Sequence, residues 1–183
     1  NRYGDCTMSK IFVNEIATTG GNDLTMPSGL VMPAGHVIQT VSLASTTITR
    51  LQTASSSYVA TGLSNSITPK FATSKINARA FMTGNTNQPN GNVEGFRMTF
   101  FRDIAGGGFS DIRSTSSGFG IGSLYSTYSR THAPMLLEIM DAPNTTSQVT
   151  YNIRVKTMGS AADVEMPPTT EEHVEFILQE IAQ

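Results

Sequence analysis

Residues 147–158 read SQVTYNIRVKTM, and this stretch decides the fold. Val149, Tyr151, Ile153 and Val155 recur at every second position, with Thr150, Asn152, Arg154 and Lys156 between them. Successive side chains of a strand point to opposite faces, so the first set is expected to face a core and the second to face water. An amphipathic helix would instead space its apolar residues three and four apart. A strand with one dry face and one wet face belongs in an antiparallel sheet.

Similar signals recur outward from this strand. DAPNTTS (141–147) turns the chain into it; Asn144-Thr145-Thr146 matches a glycosylation sequon but reads better as part of that turn. APMLLEIMD (133–141) is more apolar and suits a buried strand. In FRMTFFR (96–102), Phe96, Met98 and Phe100 share a face. In KINARAFMT (75–83), Ile76, Ala78, Ala80 and Met82 share one, with Asn77, Arg79, Phe81 and Thr83 opposite. VIQTVSL (37–43) and TITRLQT (47–53) are two more strands. SSSYVATGLSNSITPKFATSKI (55–76) carries anchors at Tyr58, Val59, Leu63 and Ile67; Gly62 relaxes the backbone, and Pro69 stops pairing before Ile76 opens the next strand. GNTNQPNGNVEG (84–95) is a polar loop, and DIAGGGFSD (103–111) and STSSGFGIG (114–122) are Gly-rich turns. Many short strands at this spacing indicate an antiparallel β-sandwich or barrel.

The composition agrees. Charged residues are 14% of the 183, well under the usual quarter or so, and Ser, Thr, Asn and Gly supply the polarity instead. Disorder normally comes with high net charge, whereas here it is −2. No long basic patch favours nucleic acid, and no apolar run of about 18 residues suggests membrane insertion. Cys6 is the single cysteine, so no intrachain disulfide forms and no cofactor or thiol metal site is expected. Residues 1–7 (NRYGDCT) precede a start-like Met8 and read as an extension or processing remnant. Residues 8–34 mix Gly and Pro with scattered apolar residues, among them Ile11, Val13, Ile16, Leu24 and Leu30, and read as an extended arm. The C-terminal PPTTEEHVEFILQEIAQ (167–183) is open from its residues alone: Val174, Ile177, Leu178 and Ile181 have helical spacing, while Val174, Phe176 and Leu178 alternate as in a strand.

AGHVIQTV (34–41), the Tyr58–Ile76 block with its Thr-Gly-Leu and Ile-Thr-Pro elements followed by Ser-Lys-Ile, LLEIMDAPNTTSQVTYNIRVKT (136–157) and the terminal FILQEIAQ resemble a group of bacteriophage virion proteins. These are tail-fibre or fibre-like proteins, frequent in phages of marine bacteria and cyanobacteria. The resemblance covers about 35–183. It implies a jelly-roll head similar to tumour-necrosis-factor and complement C1q heads, assembled as a homotrimer. It also makes residues 174–181 the last strand, with Val174, Phe176 and Leu178 at the subunit interface. Residues 8–34, with Ile11, Val13, Ile16, Leu24 and Leu30, would then attach the head to other virion proteins.

Catalytic chemistry is hard to place. His36, His132 and His173 share no metal-ligand spacing. Gly118–Gly122 lacks the strand and helix that a nucleotide fingerprint needs, and Ser123, Ser126 and Ser129 lack an acid partner and a nucleophile elbow. Asp103 and Asp111 flank a Gly-rich loop without the alternating carboxylates of a calcium loop. A recognition surface is the better expectation. Tyr125, Tyr128, Arg130 and His132 lie among small polar residues, and Asn85, Asn87 and Asn90 occupy a polar loop; both groups suit adaptable contacts with a host glycan or protein. With these loops, the resemblance implies a non-enzymatic component of the virion exterior: a trimeric fibre or knob for host attachment, or alternatively a capsid decoration or head-fibre protein that adds strands to a neighbour.

Overall fold

The computed structural model describes residues 33–45, 51–87, 94–113, 122–126, 130–158, 163–166 and 174–183. All fall within one unit, Met32–Gln183. Among them there are eleven strands and no helix. In chain order these are β1 (Val37–Ser45), β2 (Leu51–Thr53), β3 (Val59–Ile67), β4 (Lys75–Asn87), β5 (Glu94–Ile104), β6 (Ser110–Asp111), β7 (Gly122–Ser126), β8 (Arg130–Asp141), β9 (Val149–Thr157), β10 (Asp163–Met166) and β11 (Val174–Ile181).

They form two antiparallel sheets. The first runs β1-β11-β4-β10-β2, with β8 along the other edge of β4. β11 lies against Lys75–Phe81 of β4, and β10 continues that edge at Asn85–Asn87. β8 pairs with β4 from Ile76 to Asn87. The second sheet runs β3-β9-β5-β6, and β7 also pairs with β5. The deciding strand, β9, is central, with β3 on one side and β5 on the other. Val149, Tyr151, Ile153 and Val155 are fully buried. Of the alternate set, Asn152 departs from expectation: it is buried, donating from Nδ2 to Leu63 O.

The sheets pack face to face across one core. Phe100 of β5 stacks on Phe176 of β11, ring centroids 5.6 Å apart. Ile76, Ala78, Ala80 and Met82 line the inner face of β4 as expected, opposite Phe96 and Met98. Gly84 continues that face because a Cβ there would stand 2.5 Å from the Phe96 ring.

The C-terminus is a strand. β11 fills the space between β1 and β4, and its alternate residues Val174, Phe176 and Leu178 enter the core. A helix there would leave the facing edges of β1 and β4 without partners, so sheet pairing overrides local propensity. The same burial corrects the subunit-interface expectation: Val174, Phe176 and Leu178 pack inside their own chain. β8 also differs from expectation. Met135, Leu137 and Ile139 are buried, but Leu136 is 58% and Met140 48% exposed, because β8 has only one sheet face covered. In β3, Ala60 pairs with Arg154 and Ser64 with Asn152, so the strand bulges at 61–63. Gly62 sits in that bulge at φ +83°, a conformation side chains disfavour.

One end of the sandwich is closed by polar side chains. Asp141 of β8 accepts from Arg102 Nη1 of β5 at 2.9 Å and from Tyr151 Oη of β9 at 2.8 Å, joining the two sheets. Burial and the Asp141 charge push the Tyr151 hydroxyl far above its ordinary pKa. Asn65 adds a second link between the sheets, donating to Phe176 O at 2.9 Å. Glu180 is fully buried at the foot of β11. Its Oε1 accepts from the amides of Lys70 and Phe71, and its Oε2 accepts from Gln39 Nε2, which fastens the β3–β4 loop.

Candidate functional site

The chemically distinctive surface of the described residues is the outer face of the second sheet. β9 places Asn152, Arg154 and Lys156 on that face, and β5 places Arg97, Thr99 and Phe101 there, with Asn152 and Thr99 themselves buried. The register sets Arg97 directly opposite Lys156 and Thr99 opposite Arg154. Two cations facing each other across a non-core face is an arrangement that sheet energetics disfavour.

Aromatic rings lie among these cations. The Arg154 guanidinium sits over Phe101 at 4.2 Å from the ring centroid and over Phe109 at 5.3 Å. Lys156 Nζ lies 4.7 Å from the Tyr58 centroid, and Tyr58 meets Phe101 edge-to-face at 5.8 Å. Cation–π contacts of this kind contribute about 0.5–1 kcal/mol each at exposed sites and hold the charged heads in place. Arg154 is further oriented by Nε donating to Asn152 Oδ1. Burial raises the Tyr58 pKa, Asp111 adds to that rise and Arg97 opposes it, so the ring stands near both.

The two acids that flank the Gly-rich loop serve the turn. Asp103 Oδ1 accepts from the Gly108 amide. Asp111 Oδ1 accepts from Thr99 Oγ1 and from the Arg113 amide. Among the described residues no carboxylate forms an ion pair with Arg154 or Lys156, and no group of three or more His, Cys, Asp or Glu could hold a metal ion.

The residues singled out from the sequence fall elsewhere. His132 is exposed on β8, and the β4–β8 register sets it opposite Asn85, and Arg130 opposite Asn87. The two candidate segments therefore do meet, though as paired strands rather than as loops. Asn85 is corrected: it is fully buried and donates to Glu165 Oε2 at 2.8 Å, so it is not a surface contact. Tyr125 belongs to β7 of the other sheet, opposite Gly95. Tyr128, Asn90, Ile11, Val13, Ile16, Leu24 and Leu30 lie outside the described residues. Tyr58, Arg97, Phe101, Phe109, Arg154 and Lys156 are not recognisable as a group in the sequence. The available signal was the alternation of Arg154 and Lys156 on the wet face of β9, but their partners come from distant strands.

No protein-family model matches this chain, and no curated protein is significantly similar to it in sequence.

Proposed function

We propose that this chain is the head of a homotrimeric, non-enzymatic virion surface protein that attaches a bacteriophage to its host, with residues 8–34 as the arm that joins it to the particle. The observation that carries this reading is the contrast between the two outer sheet faces. On the first sheet, Phe81 and Leu136 are register partners and are 46% and 58% exposed, with Met140 nearby on β8. Exposed apolar residues gathered on one face mark an interaction site, and here they suit contact with further copies of the chain. On the second sheet, cations and aromatic rings remain for an external ligand. The long strands support a jelly-roll winding, since they order as β1-β11-β4 with β8, and β3-β9-β5 with β7.

Sedimentation equilibrium of the purified chain tests the assembly, with a trimer mass expected. Binding of the labelled protein to host cells, and its position in the intact virion by cryo-electron microscopy, test the role. A protein that sits on the capsid shell and does not bind cells would overturn the attachment reading and favour decoration.

A further inference from the structure

Resting on the attachment reading, we infer that the outer face of the second sheet binds an acidic polysaccharide. Arg154 and Lys156 supply the positive charge, and Phe109, exposed beside Arg154, supplies the open apolar surface.

Three observations converge on this ligand. First, Arg154 and Lys156 lie two residues apart on the same face of β9. Like charges this close on one face repel each other. An anion bound between them would relieve that repulsion. Second, among the described residues no carboxylate pairs with Arg154 or Lys156, while Asp103 and Asp111 are both engaged by backbone amides of the turn. The charge is therefore available to a carboxylate or sulfate from outside, and the Arg154 fork matches such a group. Third, the cations are seated on rings, and Phe109 remains 40% exposed beside Arg154. An exposed ring next to a fixed guanidinium offers a flat apolar surface for a sugar ring and a donor for its acid group. The hydroxyls of Ser64, Ser66 and Thr150 share this face through the β3–β9 register, although Ser66 and Thr150 bond each other.

Nucleic acid fits less well. Tight backbone binding takes about 6–10 phosphate contacts, and this face gathers three cations on a chain whose net charge is −2. The Phe101 face is also covered by Arg154 rather than open to a base.

The test uses the purified full chain against polygalacturonate, alginate, heparin and polysialic acid. Neutral dextran, inorganic polyphosphate and an oligothymidylate serve as comparators. At least one acidic polysaccharide should bind in preference to all three comparators, and added salt should weaken it. Arg154→Gln with Lys156→Gln should reduce that affinity about tenfold or more, as loss of charge-assisted contacts does, with the β-sheet circular dichroism retained. Phe109→Ala, at an exposed turn position where folding is not at stake, should reduce it several-fold, and Arg154→Lys should recover part of the loss. Binding to none of the four acids, equal binding to dextran, preference for polyphosphate or the oligonucleotide, or unchanged affinity in Phe109→Ala and the double variant would each overturn the inference. Host-cell binding that persists in the double variant would also overturn it while leaving the attachment reading standing. Acid-specific binding without any host-cell binding would do the reverse.

Discussion

Replacing Asp141 with Ala should remove more stability than an ordinary surface ion pair supplies. The carboxylate accepts from Arg102 Nη1 with both oxygens at 2.9 Å, and Oδ2 also accepts from Tyr151 Oη at 2.8 Å. The Asp141 and Arg102 side chains are 10% and 23% exposed, and Tyr151 is fully buried. Breaking a buried pair from one side costs about 3–5 kcal/mol. Arg102 can turn its partly exposed head to water, which lowers that figure, whereas the Tyr151 hydroxyl cannot and loses about 1–3 kcal/mol as an unsatisfied buried group. The expected total is about 3 kcal/mol, or roughly 6–12 °C in melting temperature for a chain of this length. Tyr151→Phe removes one hydrogen bond and leaves the ion pair, and should cost only about 1 kcal/mol. In the double variant the Asp141 loss should shrink, because no hydroxyl is left unsatisfied, giving a coupling of about 1–2 kcal/mol. Calorimetry at fixed protein concentration reads all three, which holds constant the contribution of the proposed assembly. A loss below about 1 kcal/mol for Asp141→Ala would refute the reasoning and place the pair with exposed salt bridges.

Alkaline stability should follow Tyr151. Its hydroxyl is held neutral above its ordinary pKa of about 10, so its contribution is complete below that pH and falls as pH rises beyond it, by up to about 1.4 kcal/mol per pH unit. Denaturant melts from pH 8 to 11 should show this slope, and Tyr151→Phe should flatten it, leaving a smaller part from Tyr58. Glu180→Gln sets an amide N–H against donors from Lys70, Phe71 or Gln39, and should cost about 1–3 kcal/mol with faster hydrogen exchange at the Lys70 and Phe71 amides. Gly62→Ala meets no neighbouring atom, so its cost should be conformational alone, about 1–2 kcal/mol in a thermal melt. Leu136→Asp should shift the sedimenting mass toward monomer while leaving the monomer fold and its circular dichroism intact, because the side chain lies outside the core.

The core strands were legible because burial on one face writes itself as a period of two. Ile76, Ala78, Ala80 and Met82, then Phe96, Met98 and Phe100, then Val149 through Val155, all enter the core as their spacing indicates. Two kinds of feature resisted. Residues 174–181 satisfy both periods, and only the neighbouring strands β1 and β4 make the strand the better answer. β8 reads as apolar throughout, yet alternation cannot say whether a sheet's second face is covered, and here Leu136 and Met140 are left outside. The candidate site was less legible still. Asn85 looked like a loop residue, but β4 runs on to Asn87 and buries it against Glu165.

The sequence by itself determined the all-β class, the inner faces of the central strands and the turns at 105–107 and 142–147, because each depends on residues adjacent in the chain. Only the tertiary structure decided that Tyr58, Arg97, Phe101, Phe109, Arg154 and Lys156 form one surface, and that Arg102, Asp141 and Tyr151 clasp two sheets. These groups are joined by register and by sheet packing, whose partners lie tens of residues apart and leave no local period to read.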